Sequence, residues 1–598
     1  MGERFVADLE STTTKDNCYV WGWGLCEIDD PENLYIGTDI YDFMERCENA
    51  AQNMKVYIHN LKWDSQFIIS WLFENDFAHV SKADDRATRT FKTMISDKGL
   101  YYSIEVIFYK KGKNINKVTF FDTAKLFPNM KLDDIAKAFH MPIRKGKIDY
   151  DAHNNLPYGS PMTPEEKEYL IGDLLILANG MREYFRNGMD KITIGSCAMA
   201  EYKKLIGDRK FRRWFPALPC HDFVKQSYKG GWTYLNPKLA GKILGRGITL
   251  DVNGLFSAVM KNERLPWGNP LYYDGEYEPD EIYPLYVQML RCQFEIKPGK
   301  LPTIQIKYSS YFMGNEYLTS SNGDEVVLCL TSVDLELFRE NYNIYNAEYI
   351  CGWKFRAQRG MFDEYIDKWS ANKIKAKEEK NYPLYLISKL MLNSLYGKFG
   401  TNTTRKSKIP YMGDDGIVKY KDTDPIAQEG VYIAAASFIT SHARAVTIRA
   451  AQKVTDNYNQ GKSDLQFAYA DTDSLHILTD YYELPADMDI DPYRLGAWKL
   501  EAVFEKAKFL RQKCYIEKHI ITEEEYTEGI QAEQSFLYSK EGGNYYYLKI
   551  TVAGMPAECY DQVNFVNFKI GAEYEGKKQP KVVKGGVILE SIDFTIKG

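Results

Sequence analysis

Cysteine is scarce and dispersed. The ten residues run from Cys18 to Cys559 with no C-x-x-C pair and no Cys/His cluster. There is thus no zinc signature and no disulfide framework, and reduced thiols in an intracellular compartment are expected. Long apolar runs are missing too: no stretch of about 18 apolar residues occurs, which leaves out a membrane-spanning helix and a membrane partner. No charged-then-apolar leader opens the chain, so a soluble protein is the expectation. Internal repeats and low-complexity segments are absent. Positive charge is in slight deficit, with 76 Lys and Arg against 82 Asp and Glu and a net charge of -6. As a sum, that balance argues against a nucleic-acid partner, but distribution outweighs the sum. Between Lys373 and Lys408 stand nine Lys or Arg against two Glu, a local excess of seven. Such a run is ordinarily a solvated helix face, and it gains weight only beside other signs of phosphate chemistry.

With 598 residues the chain is too long for one hydrophobic core, and several domains are expected. Hydrophobic residues at 44% and aromatics at 14% mark a globular protein. The aromatic share rests on 45 Tyr, a residue suited to stacking on bases and sugars and equally at home in ordinary cores.

The first 190 or so residues alternate strand-like and helix-like stretches, the pattern of an α/β domain. Strands are expected at Phe5 to Glu10, Tyr19 to Glu27 and Lys55 to Ile58. A long helix begins after Thr163, with Pro164 at its first position and Glu166 closing a capping box. After Tyr228-Lys229-Gly230-Gly231 a second α/β region follows. From about Trp267 to Gly360 runs a Pro- and Tyr-rich block of short strands, then a helical region from Phe362 to Phe399. Ile409 to Tyr420 reads as a hairpin about the turn Gly413-Asp414-Asp415-Gly416. The tail from Gly542 reads as short strands.

Two constellations carry chemistry. Asp8 and Glu10 are two apart in a strand and leave the same face, with Phe5, Ala7 and Leu9 turned to the core. A further carboxylate, Asp64, follows His59-Asn60 at a strand-to-helix junction, and Tyr169 and Asp173 share one helix face. Asp-x-Glu alone is usually a polar strand edge, and Tyr-x-x-x-Asp arises by chance. The pieces together in one α/β domain form a carboxylate cluster able to hold two Mg²⁺, activate water and stabilise a leaving oxygen.

In the second constellation, Asp471 and Asp473 share a face at a hairpin tip in Tyr469-Ala470-Asp471-Thr472-Asp473-Ser474. An Asp-rich turn would be the ordinary reading. Its partner overturns that: Asp251-Val252-Asn253-Gly254-Leu255-Phe256 puts another aspartate at a strand end. Such a set can hold two Mg²⁺ against a triphosphate. On the helix Leu384 to Phe399, Lys389, Asn393 and Tyr396 fall on one stripe, and Gly397 leaves room for a base.

These segments resemble those of the protein-primed family B DNA polymerases. The carriers are residues 251–256, Lys389-Leu-Met-Leu-Asn-Ser-Leu-Tyr-Gly-Lys-Phe399, residues 469–474, the Lys513-Cys514-Tyr515 motif and Tyr228-Lys229-Gly230-Gly231, with the three exonuclease motifs before them. The resemblance extends from Asp8 to Phe594-Thr595-Ile596-Lys597. It implies a multidomain α/β and α+β fold, with an RNase H-like 3′→5′ exonuclease domain over 1–190 followed by a right-hand polymerase domain. The palm would occupy 191–262 and 429–535, the fingers 361–400 and the thumb 536–598. Two insertions of the terminal-protein region would cover 263–360 and 401–428.

By the same resemblance, Asp251 and Asp473 are the main metal ligands of synthesis, with Asp471 beside them and the Val252 carbonyl assisting. Asp8, Glu10, Asp64 and Asp173 hold the exonuclease metals, Tyr169 orients water, and Lys145 stands near the scissile phosphate. Lys373 and Lys389 meet the incoming triphosphate, and Tyr396 the nascent base pair. Phe256 excludes a 2′-hydroxyl. His59, Asn60, Phe67 and Thr123 line the single-strand path; Tyr228, Gly230, Gly231, Lys513 and Tyr515 contact DNA. Implied cofactors are Mg²⁺ or Mn²⁺ in two-metal sites. Implied partners are primer-template DNA, dNTPs and a terminal priming protein, for a monomer in the cytoplasm of an infected bacterial host. The family's usual Tyr at the gate is Phe256 here, Ser257 replaces a frequent Pro, and Tyr385 stands where a phosphate-facing lysine is found. A dedicated exonuclease would not need the second carboxylate set. A non-catalytic scaffold would lack metal ligands, and an RNA polymerase is opposed by the aromatic at 256.

Overall fold

The computed structural model describes residues 3–15, 18–50, 53–82, 84–306, 316–428, 430–531 and 534–598. Residues 307–315 of the expected Pro- and Tyr-rich block lie outside this range.

The N-terminal domain is built on an eight-stranded sheet. Its central strand Glu3–Ser11 runs antiparallel to Val20–Glu27 and parallel to Met54–Ile58, which pairs in parallel with Asn114–Asp122. Phe5, Ala7 and Leu9 enter one apolar core with Ile68, Ile69 and Leu72 of the helix Asp64–Glu74. The opposite face takes the helix Pro164–Arg186, whose Leu170, Leu174 and Leu177 pack with Val6 and Tyr57. That helix starts at the expected capping box: Glu166 N–H donates to Thr163 Oγ1 at 3.2 Å and Thr163 N–H to Glu166 at 2.8 Å. Its close seat depends on Gly24, opposite Asp8 in the sheet, where a Cβ would stand 2.3 Å from Leu174 Cδ1.

A second eight-stranded sheet contains Gly247–Val252 between Trp498–Arg511 and Ser474–Leu478. Its far edge extends past residue 535, where the thumb was expected to begin. Asn544–Val552 pairs along the whole of Cys514–Ile521, and Tyr538–Glu541 adds the last strand. The long helix Ile433–Asn459 packs against this sheet, and its N-terminal turns bury a run of small residues, Ala434, Ala435, Ala436 and Ser437.

The block after Trp267 differs from expectation. Its strands are long, Leu285–Ile296 and Tyr342–Gln358 above all, and they form a four-stranded sheet with the helix Ser332–Asn341. Pro266 and Pro270 lie in Leu265–Asp274, an edge strand that tolerates a missing donor, and Pro279, Pro284, Pro298 and Pro302 lie between strands. The prolines therefore punctuate the sheet without shortening its central strands.

The helical region is an antiparallel pair, Asp363–Glu378 and Tyr382–Phe399. The second helix is capped by Asn381, whose side chain accepts from Leu384 N–H. The hairpin also forms, Lys408–Met412 against Val418–Asp422. Val418 is 4% exposed and joins the core of the N-terminal domain, with Met412 and Tyr420 packed against the same core. Tyr420 Oη donates to Gln66 Oε1 at 2.7 Å. A C-terminal hairpin, Glu573–Val583 with Gly586–Thr595, reaches the same domain through Val587. Among the described residues no helix is long and apolar enough to cross a membrane.

Candidate active sites

The N-terminal site forms where strand, helix and loop converge. Asp8, Glu10 and Asp173 each place one carboxylate oxygen within 4.8 Å of the others, the one such cluster among the described residues. Asp64, at the first turn of its helix, accepts Leu9 N–H at 3.2 Å and so stands beside Asp8 on the same strand. Crowding four carboxylates in a buried place disfavours their charged forms. Burial, with Asp173 nearby, pushes Asp8 up to about 7 against the opposing pull of Lys145. Burial and Asp8 hold Glu10 and Asp64 well above the ordinary carboxylate range.

Lys145 Nζ pairs with Asp173 Oδ2 at 2.5 Å. Burial opposes the charge of this lysine, and the Asp173 carboxylate outweighs it, so its pKa lies above the usual value. Asp173 Oδ1 is buried with no hydrogen-bond partner. An orphaned carboxylate oxygen inside an acidic cluster is the donor set a hard divalent cation takes. Tyr169 shares a 2.9 Å hydroxyl contact with Tyr150, and Lys145 lies 4.9 Å over its ring. Burial, Glu10 and Asp173 raise the Tyr169 phenol strongly and keep it neutral.

The proposed strand path is only partly open. Asn60 is exposed with φ 64°, and His59 is half-buried, its Nε2–H donating to Met130 O at 2.8 Å while Nδ1 meets Thr123 Oγ1 at 2.9 Å. Thr123 is fully buried and Phe67 is 1% exposed. Gly586 lies on the Phe67 ring so closely that a Cβ there would sit 2.1 Å from it. In this arrangement neither Phe67 nor Thr123 presents surface to a strand, because the C-terminal hairpin covers the one and His59 the other.

The second site sits on the palm-like sheet. Asp251 ends the strand Gly247–Val252 directly opposite Ser474. Asp471 and Asp473 flank Thr472, whose φ of 68° makes the tight turn. That turn is held from three sides: Thr472 N–H donates to Trp232 O at 2.8 Å, Thr447 Oγ1 to Thr472 O at 2.8 Å, and Val252 N–H to Asp473 O at 2.9 Å. Gly231 is required here, since a Cβ would stand 2.5 Å from the Thr472 methyl. Burial and Asp251 push Asp473 up to about 6. Burial also raises Asp251, with Lys499 opposing.

The Tyr228-Lys229-Gly230-Gly231 segment is gripped by a buried ion pair. Arg444, 3% exposed, donates to Lys229 O at 2.9 Å and Gly230 O at 2.7 Å while paired to Asp334 at 2.6 Å. Lys513 pairs with Asp471 at 2.9 Å. Its neighbour Tyr515 is 5% exposed, in a cluster with Tyr469 and Phe509 beneath the Asp471–Asp473 turn. A primer grip by that ring is not available in this arrangement, because its strand alternation points it into the sheet's core.

Above the turn, Lys389, Asn393 and Gly397 are exposed along one helix face, and a Cβ at Gly397 would meet nothing within 4 Å. The Tyr396 ring lies on Phe256. Lys373 approaches the Tyr385 ring at 5.9 Å. Burial, then Lys389 and Lys499, hold Lys373 below the ordinary lysine value. Ser257 Oγ donates to Leu392 O at 3.2 Å, tying the palm helix to this one. Two features had no sequence signal: Lys499, and the buried Glu517 held by His476 at 2.6 Å and His519 at 2.9 Å.

A carboxylate turn beneath a helix face of exposed Lys389, Asn393 and Gly397, with an RNase H-like domain before it, is the layout of a right-hand polymerase. The profile of "DNA polymerase type B, organellar and viral" matches residues 46–161 and 157–484. The DNA polymerase of Bacillus phage M2 is 39% identical over 596 residues, 99% of each chain, and that of Bacillus phage phi29 is 38% identical over 598 residues, 99% of each. A solved structure of phi29 DNA polymerase complexed with primer-template DNA and incoming nucleotides superposes with TM-score 0.90 at 36% identity, covering 100% of both chains. The chain belongs to the type B DNA polymerases and is of the phi29 phage type. The expected fold, an exonuclease domain followed by a polymerase domain, is borne out.

Proposed function

We propose that this DNA polymerase also proofreads, as a 3′→5′ exonuclease, and that it is protein-primed, processive and strand-displacing. One observation carries the proofreading: the Asp8, Glu10 and Asp173 oxygens within 4.8 Å, on a sheet separate from Asp251 and Asp473. Two carboxylate sets on two sheets serve two reactions.

The gathered oxygens of Asp8, Glu10 and Asp173, with Asp173 Oδ1 unpartnered, fit Mg²⁺ or Mn²⁺. Asp8, Glu10, Asp64 and Asp173 would hold it in one site; Asp251, Asp473 and the Val252 carbonyl, with Asp471 beside them, in the other. Bound there, the ions supply charge neutralisation and an activated oxygen nucleophile. In degradation, the neutral Tyr169 phenol orients water and Lys145 offsets charge at the scissile phosphate. In synthesis, the primer 3′-oxygen displaces pyrophosphate from the α-phosphorus while Lys389 and Lys373 hold the phosphates. Tyr396 and Phe256 form the wall beside the base and sugar, and Asn393 and Gly397 complete it. Primer-template DNA and dNTPs are the substrates, the ligands in the related phi29 complex. Tyr228, Gly230, Gly231 and Lys513 contact the duplex, His59 and Asn60 the single strand, and Phe67, Thr123 and Tyr515 support those surfaces from beneath.

The domain divisions follow those expected from sequence, except that Tyr538–Glu541 and Asn544–Val552 carry the palm sheet into the expected thumb. A terminal protein docks on the region 263–360, where Tyr272, Ile282 and Tyr345 are exposed. The chain works as a monomer in the cytoplasm of an infected bacterium. A primer-extension gel with Mg²⁺, with and without dNTPs, tests both activities. Extension with dNTPs and 3′ shortening without them are expected. Extension without any shortening would remove the proofreading reading, and a pull-down that found no priming protein would remove the docking.

A further inference from the structure

Strand register places a lysine against the main catalytic aspartate. Trp498–Arg511 runs antiparallel to Gly247–Val252, and Asp251 pairs with Lys499. An irregularity between Thr249 and Leu250 leaves Glu501 without an opposite residue, and such a bulge re-aims its neighbours. Lys499 Nζ lies 3.0 Å from Asp251 Oδ2, with the lysine side chain 35% exposed. Lys373, on the first finger helix, is surrounded by the positive charges of Lys389, Lys499 and Lys377. Lys499, held at Asp251 on the palm floor, thus acts on the same finger lysine, Lys373, as Lys389 of the second finger helix does.

These lysines repel one another, and among the described residues only Lys499 has a carboxylate partner, Asp251. As a plain surface ion pair, Lys499–Asp251 would contribute only about 0–1 kcal/mol, and it would not explain a palm cation facing two finger lysines. A multivalent anion between palm and fingers does explain it, and the polymerase reaction brings one there. We propose that Lys499 is a triphosphate-binding residue supplied by the palm, contacting the outer phosphates of the incoming dNTP and of the departing pyrophosphate. This rests on the assignment of Asp251 and Lys389 to the synthesis site. A lysine is suited to the task as a point charge on a flexible stem, able to leave a carboxylate and follow a phosphate. When Asp251 serves as a metal ligand, its oxygen is engaged and the ammonium is released toward the phosphates.

The test uses the full-length protein with Lys499→Ala, Lys499→Arg and Lys389→Ala. Two quantities are measured: dNTP affinity for the enzyme on a dideoxy-terminated primer-template, where no chemistry occurs, and steady-state KM, kcat and pyrophosphate inhibition. Losing a charge-assisted phosphate contact should weaken dNTP binding about tenfold in Lys499→Ala, raise KM and weaken pyrophosphate inhibition alike. Lys499→Arg should recover most of each. Unchanged affinity with an altered kcat or Mg²⁺ requirement would overturn the proposal and leave Lys499 as a partner of Asp251 alone. If Lys389→Ala also left dNTP affinity untouched, the assignment of the pocket itself would fall.

Discussion

The ring of Phe256 lies on the ring of Tyr396, centroids 4.0 Å apart and planes 14° from parallel. One comes from the palm helix Leu255–Asn262 and the other from the finger helix Tyr382–Phe399. Stacked rings fix each other's rotamers, so the gate proposed at Phe256 against a 2′-hydroxyl would be a braced wall. Replacing Phe256 with Val should raise ribonucleotide incorporation relative to deoxynucleotide. Tyr396→Ala, which removes the brace and leaves the gate ring, should raise it by a smaller factor. The ratio of kcat/KM for rNTP and dNTP checks both, and an unchanged ratio in Phe256→Val would move the gate elsewhere.

Asp8 lies on a strand of the N-terminal sheet and Asp64 on the helix packed against it, while Asp251 lies on a separate sheet. The double variant Asp8→Ala/Asp64→Ala is expected to lose 3′→5′ degradation by at least about 100-fold, the scale for losing transition-state charge stabilisation. Extension should be largely intact, and Asp473→Asn should show the reverse pattern. Equal loss of both activities in either variant would contradict two separable sites.

Without metal, the acidic clusters should make stability depend on pH. Burial raises Asp8 to about 7 and Asp473 to about 6, above the unfolded value near 3.9. The folded protein therefore keeps protons that the unfolded chain gives up. That stabilisation is complete below about pH 4 and is lost as pH rises through 6 and 7. In EDTA, Asp8→Asn should gain Tm over the unmodified protein at pH 8 and little at pH 5, and added Mg²⁺ should erase the advantage. A gain confined to pH 5 would reverse the sign and refute the account.

Tyr420 and Val418 dock the 408–422 hairpin on the N-terminal domain, so it can close a ring over DNA. Deleting Thr404 to Asp422 with a Gly-Ser bridge should shorten products under single-binding conditions and impair strand displacement, with gap filling retained. Val418→Asp, which puts a charge into the docking contact, should do the same in part. Long displacement products from the deleted enzyme would mean that the hairpin is only a loop.

Local chemistry was readable in advance where it depended on near neighbours in the chain. The two-residue spacing of Asp8 and Glu10, the Thr163–Glu166 capping box, the turn at Gly413 to Gly416 and the stripe Lys389–Asn393–Tyr396 all follow from helix, strand and turn periodicity. The block after Trp267 was misread as short strands because composition marks prolines without saying which strand lies at an edge. Tyr515 and Phe67 looked like DNA contacts by motif, yet their exposure depends on what packs over them.

The sequence alone determined the family to which the chain belongs, since motif spacing survives translation into helices and strands. Only the tertiary structure decided which residues meet: Lys499 beside Asp251, Phe256 on Tyr396, Gly586 over Phe67, Val418 in a distant core. Those pairs join residues far apart in the chain, and their meeting is set by strand register and domain docking. Both are collective outcomes of burying apolar surface, and no local periodicity encodes them.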